Sequence, residues 1–354
     1  TFGLQGQQDF IAFWAAFQVA VAGGNPYARA DLLLQQQQIF PWLSDPQMFL
    51  NPPWLLALLL PILSADFPVA TAIWRGLNLG LAAMIPILSF QLIRPQQQPS
   101  AATMFAATLA IPMYCSIMFG QLSVFLACML IIAANFLKSE RYVLAGVFLV
   151  PLTIKPHLFT ALIVYLSFLT IRRRLILLPA TVIAGTGLLA GVSSAVNPAI
   201  FGFWRTSDFS PLGHQTLNPA TLLNQAFDLM PINAATAILP IILTVGLGVW
   251  LWQRAALSAG DFVNLLPELV LISLLFAPYV MFYDYALVLL PQSMLLARVS
   301  GTRIELSCLF LIALLNAVSL YVISLTPLLT NQIFYLWCFL LLFLHSQVRL
   351  KRSE

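Results

Sequence analysis

Phe67 to Arg94 reads FPVATAIWRGLNLGLAAMIPILSFQLIR, an apolar run bounded by Asp66 and Arg94. A helix needs about 20 predominantly apolar residues to cross a bilayer, and this stretch supplies them. Working outward, comparable runs occupy 100–118, 122–137, 175–196, 234–253, 262–279, 283–297, 304–325 and 331–347. Two shorter ones, 142–154 and 158–171, meet at Lys155-Pro156. Proline cannot continue the helical ladder and pushes the residue before it out of the α region, so a broken hairpin at or inside the bilayer is expected there. About eleven spans result, and the fold class predicted is an all-α, polytopic membrane bundle.

Composition agrees. Of 354 residues 60% are hydrophobic and 8% charged, against roughly a quarter charged in a soluble domain. With mean hydropathy +0.91, there is more apolar surface than globular cores bury, so lipid must cover the rest. A soluble enzyme, a disordered chain, collagen and a disulfide scaffold are all excluded. Cys115, Cys128, Cys308 and Cys338 stand singly in apolar runs, without the spacing of a metal or disulfide framework. No basic stripe interleaved with aromatics suggests nucleic acid.

Charge placement orients the bundle. Arg94, Lys138, Arg141, Arg172, Arg173, Arg174, Arg254, Arg298, Arg303, Arg349, Lys351 and Arg352 fall at one set of span ends, leaving four of the sixteen basic residues elsewhere. The positive-inside rule makes that side cytoplasmic. Residues 1–66 then form an external loop, 67–347 the transmembrane helices and 348–354 a cytoplasmic tail, in one transmembrane domain. An odd number of spans, with Thr1 outside, leads us to expect one further helix upstream, for about twelve in the native chain. In the loop, FIAFWAAFQVAVA (10–22) is too short to span and suits a helix lying along the interface. PWLLALLLPILS (53–64) is expected to dip in or lie flat.

Several polar residues could carry chemistry. Asp9, in QGQQDFIAFW, stands at a helix start, where a carboxylate caps amides and complements the dipole. Its functional reading is a general base at the membrane surface, with a pKa raised by partial desolvation. GGNPY (Gly23–Tyr27) is a turn whose Tyr27 could line a sugar site. FGQLS (Phe119–Ser123) is a tight turn in which Gln121 either only shapes the turn or binds a sugar hydroxyl. TIKPH (Thr153–His157) puts a lysine at a broken helix in an apolar hairpin. Such a charge marks a functional site unless it snorkels to headgroups, and a lipid phosphate is its natural partner. His157 beside it either assists or caps the break. SLLFAPYVMFYDYALVLLP (Ser273–Pro291) gathers Tyr279, Tyr283, Asp284 and Tyr285 where two spans meet. This reads as a hydrogen-bonded polar site, structural or touching an acceptor. Arg205, Asp208 and His214 populate the external loop 197–219, and Arg75 lies one turn or so into its helix.

Walker, GxGxxG, HExxH and nucleophile-elbow motifs are absent from the sequence. ATP use and hydride chemistry are unsupported, and neither a cofactor nor a metal is expected.

Taken in order, an external Asp-Phe before a short aromatic helix, G-N-P-Y, N-P-P, G-Q between spans, K-P in a hairpin and a late Y-D resemble glycosyltransferase family 87. These are multispanning enzymes of the GT-C superfamily, similar to bacterial polyprenol-phosphate-mannose-dependent mannosyltransferases. The resemblance runs from Asp9 to about Pro291. It implies a GT-C-like bundle in the bacterial cytoplasmic membrane, moving a sugar, expected to be mannose, from a polyprenyl-phosphate donor to a glycolipid or glycan acceptor hydroxyl on the extracytoplasmic face. Asp9 falls on the acidic residue taken as catalytic base, and Lys155 in the hairpin motif. Lys155, His157 and Arg205 are the expected phosphate ligands; Tyr27, Gln121, Tyr283 and Asp284 are the expected sugar and acceptor ligands. Many GT-C enzymes pair two acids in this loop, whereas here Asp9 stands alone, which puts metal use in doubt. The competing reading is a transporter or flippase of a polar or lipid-linked substrate using the same buried charges. A non-catalytic assembly subunit has no use for a lysine in the hairpin.

Overall fold

The computed structural model describes residues 9–97, 99–207, 246, 259–277, 279–325 and 330–353. All regular structure among them is helical. The first region holds α1 (Phe10–Val21), α2 (Arg29–Gln37) and α3 (Trp54–Leu63), followed by the long α4 (Phe67–Ile93). Next come α5 (Ala101–Thr108), α6 (Ile111–Phe119), α7 (Ser123–Lys138), α8 (Tyr142–Leu149), α9 (Thr160–Arg173), α10 (Leu177–Val196) and α11 (Ile200–Arg205). The C-terminal part contributes α12 (Ala259–Phe276), α13 (Leu289–Val299), α14 (Glu305–Leu325) and α15 (Thr330–Ser353).

Among the described residues two helices, α4 and α10, are long and apolar enough to cross a membrane, or three spans if the bent pair α5–α6 counts as one. The other expected spans within the described residues are shorter apolar helices or helices extended by 3-10 turns; the expected span 234–253 lies outside the described residues. Apolar surface left bare, such as Ile183 at 72% exposure on α10 and Phe310 at 70% on α14, is what a lipid-facing helix presents.

Breaks in the helices are satisfied from within. Between α5 and α6 the axis bends by 56°. There the Gln292 amide donates to the carbonyls of Ala106 and Leu109, both at 3.0 Å, while Asn316 donates to Leu109 O and accepts from Ile111 N, both at 2.9 Å. Irregular backbone in an apolar bundle persists only where protein groups replace water in this way.

One expectation needs correction. α1 does not lie on a lipid-facing surface: ten of its residues, Phe10 through Phe17, Val19 and Ala20, are buried. It packs against α2, α3 and α4. The physical reason is its lack of a polar face. A helix apolar all round belongs inside protein, whereas an interfacial helix needs one wet side.

α4 and α7 give the bundle two distinct ends. Near the start of α4, Trp74 Nε1 donates to Gly120 O at 2.8 Å and Arg75 to Met118 O at 3.0 Å. At the other end Arg94 donates to the carbonyls of Ser300 at 2.5 Å and Arg298 at 2.7 Å, and Lys138 Nζ to Leu92 O at 2.6 Å. Basic residues that the charge pattern assigns to one side are thus laced together at one end. The loop that carries Gln121 lies at the opposite end.

Candidate active site

Gly120 is the residue that assembles this end. It ends α6 in the left-handed region, at φ +72°, where L-residues with a Cβ are strained. A Cβ there would also sit 2.5 Å from Phe10 Cβ. Bare backbone therefore lets Phe10, stacked 6.0 Å from Trp74, close against the turn. Asp9 and Gln121, the chain neighbours of these two residues, meet as a result.

Asp9 does not cap its helix. Its side chain makes no capping hydrogen bond; Oδ2 instead accepts from Gln121 Nε2 at 2.5 Å. Asp9 stands at the N-cap position of α1, but its carboxylate faces this amide and not the first amides of the helix. Gln121 Oε1 in turn accepts from Lys155 Nζ at 3.3 Å, and the same ammonium donates to Asp284 Oδ1 at 2.8 Å. A continuous chain of hydrogen bonds runs from Asp9 through Gln121 and Lys155 to Asp284.

Lys155 reaches this place because α8 gives way to a 3-10 turn, Val150–Ile154, and Lys155 itself leaves helical geometry at φ −128°, ψ 61° before Pro156. Asp284 opens another 3-10 turn, Asp284–Val288. Its carboxylate is 1% exposed and fully held: Oδ1 also accepts from Ser123 Oγ at 2.8 Å, and Oδ2 from Met281 N at 3.2 Å. The Tyr283 ring lies 5.3 Å from the Lys155 ammonium, and its hydroxyl favours the ionised form of Asp9. His157 stacks on Tyr279 with centroids 4.0 Å apart, and its Nε2 is buried without a hydrogen-bond partner among the described residues.

The electrostatics single out Asp9. The residue is half-buried. Burial pushes its carboxyl from 3.8 to about 6, against the Gln121 hydrogen bond and the Lys155 charge, which favour ionisation. A carboxylate with a pKa near neutrality is suited to general base work. Among the described residues, no three His, Cys, Asp or Glu side chains group to hold a metal ion.

Of the residues the sequence nominated, Asp9, Gln121, Lys155, Tyr283 and Asp284 converge, and His157 stacks beside them. Tyr27 directs its hydroxyl to Asn51 O at 2.9 Å and its ring to Phe49, 5.2 Å between centroids; in these contacts it braces the loop. Arg205 is exposed at the end of α11, and neither it nor Tyr27 belongs to the chain linking Asp9 to Asp284. Asp208 and His214 lie outside the described residues. Ser123 was missed by sequence reasoning. Its only local signal is its place two residues after Gln121, at the start of α7.

No curated protein and no solved structure matches this chain. A family model described as glycosyltransferase family 87 matches residues 49–282. That stretch contains Gln121, Lys155 and His157; Asp9 precedes it, and Tyr283 and Asp284 follow its last residue. With this match over more than half of its length, the chain belongs to glycosyltransferase family 87.

Proposed function

We propose that this membrane glycosyltransferase transfers a sugar, mannose in our reading, from a polyprenyl-phosphate carrier to an acceptor hydroxyl at the extracytoplasmic face of a bacterial cytoplasmic membrane. Asp9 is the general base. The acceptor oxygen bonds to the anomeric carbon while the bond from that carbon to the phosphate oxygen breaks. The hydroxyl proton passes to Asp9, and polyprenyl phosphate departs. Attack opposite the leaving group inverts the anomeric centre, as in inverting glycosidases. Lys155 spends two of its hydrogens on Asp284 and Gln121; its third would meet the departing phosphate.

The observation that carries this reading is the coupling of Asp9 to the buried ammonium through the single amide of Gln121. A lipid-borne donor is supported by an apolar groove of about 570 Å³ between α8, α9 and α10, lined by Leu149, Leu152, Leu162 and Leu166 and by Thr153 and Pro156, which flank the Lys155 segment. The extracytoplasmic reading is supported by the basic residues at the opposite end.

The test is transfer by purified protein from polyprenyl-phosphate mannose to a total lipid extract. The wild type should form a labelled glycolipid and Asp9→Asn should not, while still binding the donor. Movement of substrate across vesicles with no glycosidic bond formed would replace this reading by the transporter one.

A further inference from the structure

We propose that Asp284 and Gln121 are positioning residues for the base: Asp284 fixes the Lys155 ammonium, the ammonium fixes the direction of the Gln121 amide, and the amide nitrogen, donating to Oδ2, holds Asp9 in the form that accepts the acceptor's proton. This rests on the reading of Asp9 as general base and assigns Gln121 and Asp284 a role other than binding sugar.

The argument is one of donors and acceptors. A primary amide has an oxygen that only accepts and a nitrogen that only donates; an ammonium only donates. The face of Gln121 toward Lys155 must therefore be Oε1, at 3.3 Å, which turns Nε2 toward Asp9 Oδ2, at 2.5 Å. A donor on Oδ2 favours the ionised carboxylate, the form a base needs. Without the ammonium the amide could turn over. Its oxygen would then face Asp9 and favour the protonated acid, which is useless as a base.

Asp284 keeps the ammonium in place. Both its oxygens are engaged by Lys155, Ser123 and the Met281 amide, so it is neither a second base nor an open ligand. Were it neutral, the anion nearest to Lys155 would be Asp9, and direct pairing would quench its basicity. The groups acting on Asp9 are Gln121 from the turn before α7, Lys155 from the break between α8 and α9, and Tyr283 and Asp284 from the turn before α13. The two partners of the ion pair act on it with opposite sign.

The experiment is the pH–rate profile of mannose transfer from polyprenyl-phosphate mannose to a total lipid extract, for wild type, Gln121→Glu, Asp284→Asn and Lys155→Arg. Gln121→Glu keeps an oxygen for Lys155 but replaces the donor facing Asp9 by an anion; its acidic limb should move to higher pH by about one unit or more. Asp284→Asn should move the limb to lower pH and reduce kcat by about tenfold or more, because the base weakens. Lys155→Arg, which preserves a cationic donor, should leave the limb near that of wild type. Limbs that coincide in Gln121→Glu and wild type overturn the proposal, as does a change confined to KM, the signature of a sugar ligand. If Asp284→Asn fails to fold, Gln121→Glu decides alone. A wild type that forms no glycosidic bond overturns the functional reading and this proposal with it, whereas an active wild type with unmoved limbs overturns this proposal only.

Discussion

The two ends of the bundle both bury charge, and they treat it differently. At the basic end, Arg94 donates to the Ser300 and Arg298 carbonyls, and Glu305 accepts from the Gly301 amide and the Thr103 hydroxyl, both at 2.6 Å. Arg94 terminates mainly on backbone, and Glu305 on a backbone amide and two hydroxyls, none of them ionisable; together they pin loops. At the other end, Asp9, Gln121, Lys155 and Asp284 are held mostly by one another, and Asp9 is half-buried. Charge bound to backbone stabilises a turn. Charge bound to neighbouring side chains has an adjustable proton affinity, because each neighbour can favour or oppose ionisation.

That contrast is open to attack at several points. Asp9→Asn removes the base and should lower kcat by at least about 10²–10⁴-fold, the range contributed by a positioned base, with donor binding retained in a filter assay. A surviving kcat would reduce this end to another structural cluster. Lowering pH makes the same test on the wild type. Asp9 acts ionised, so transfer should be flat above its pKa of about 6 and should fall about tenfold per unit well below it.

Cutting the Lys155–Asp284 pair with Lys155→Met leaves a buried carboxylate uncompensated, which costs about 3–5 kcal/mol and should appear as a lower Tm in detergent. Gly120→Ala should depress both Tm and kcat, since a Cβ would push Phe10 away and carry Asp9 from Gln121. At the basic end, Arg94→Ala should cost about 1.5–3 kcal/mol for its charge-assisted bonds and leave the pH profile of transfer unchanged. Smallest of all, Tyr27→Phe removes one hydrogen bond to Asn51 O, worth about 1 kcal/mol, with kcat unaffected. A shift of the acidic limb in Arg94→Ala would erase the distinction between the two ends.

Much of the site could be nominated from sequence, because ionisable residues in apolar runs are costly and therefore conspicuous. Lys155 before Pro156 and Asp284 among tyrosines stood out for this reason. Ser123 did not, because a serine at a helix start is ordinary. The surroundings of α1 were misjudged because shortness and aromatic content suit an interfacial helix and a buried one alike; its missing polar face was the deciding feature.

By itself, the sequence determined the membrane class, the helix breaks at prolines, the sorting of basic residues to one end and the set of candidate polar groups. Each of these depends on composition or on neighbours within a turn or two. Only the tertiary structure decided the partnerships: Gln121 with Asp9 across 112 positions and Lys155 with Asp284 across 129. Contacts between such distant positions leave no periodicity in the chain. A carboxylate may cap its own helix or face a distant amide with the same local sequence, and the packing of Phe10 onto Gly120 selects the second.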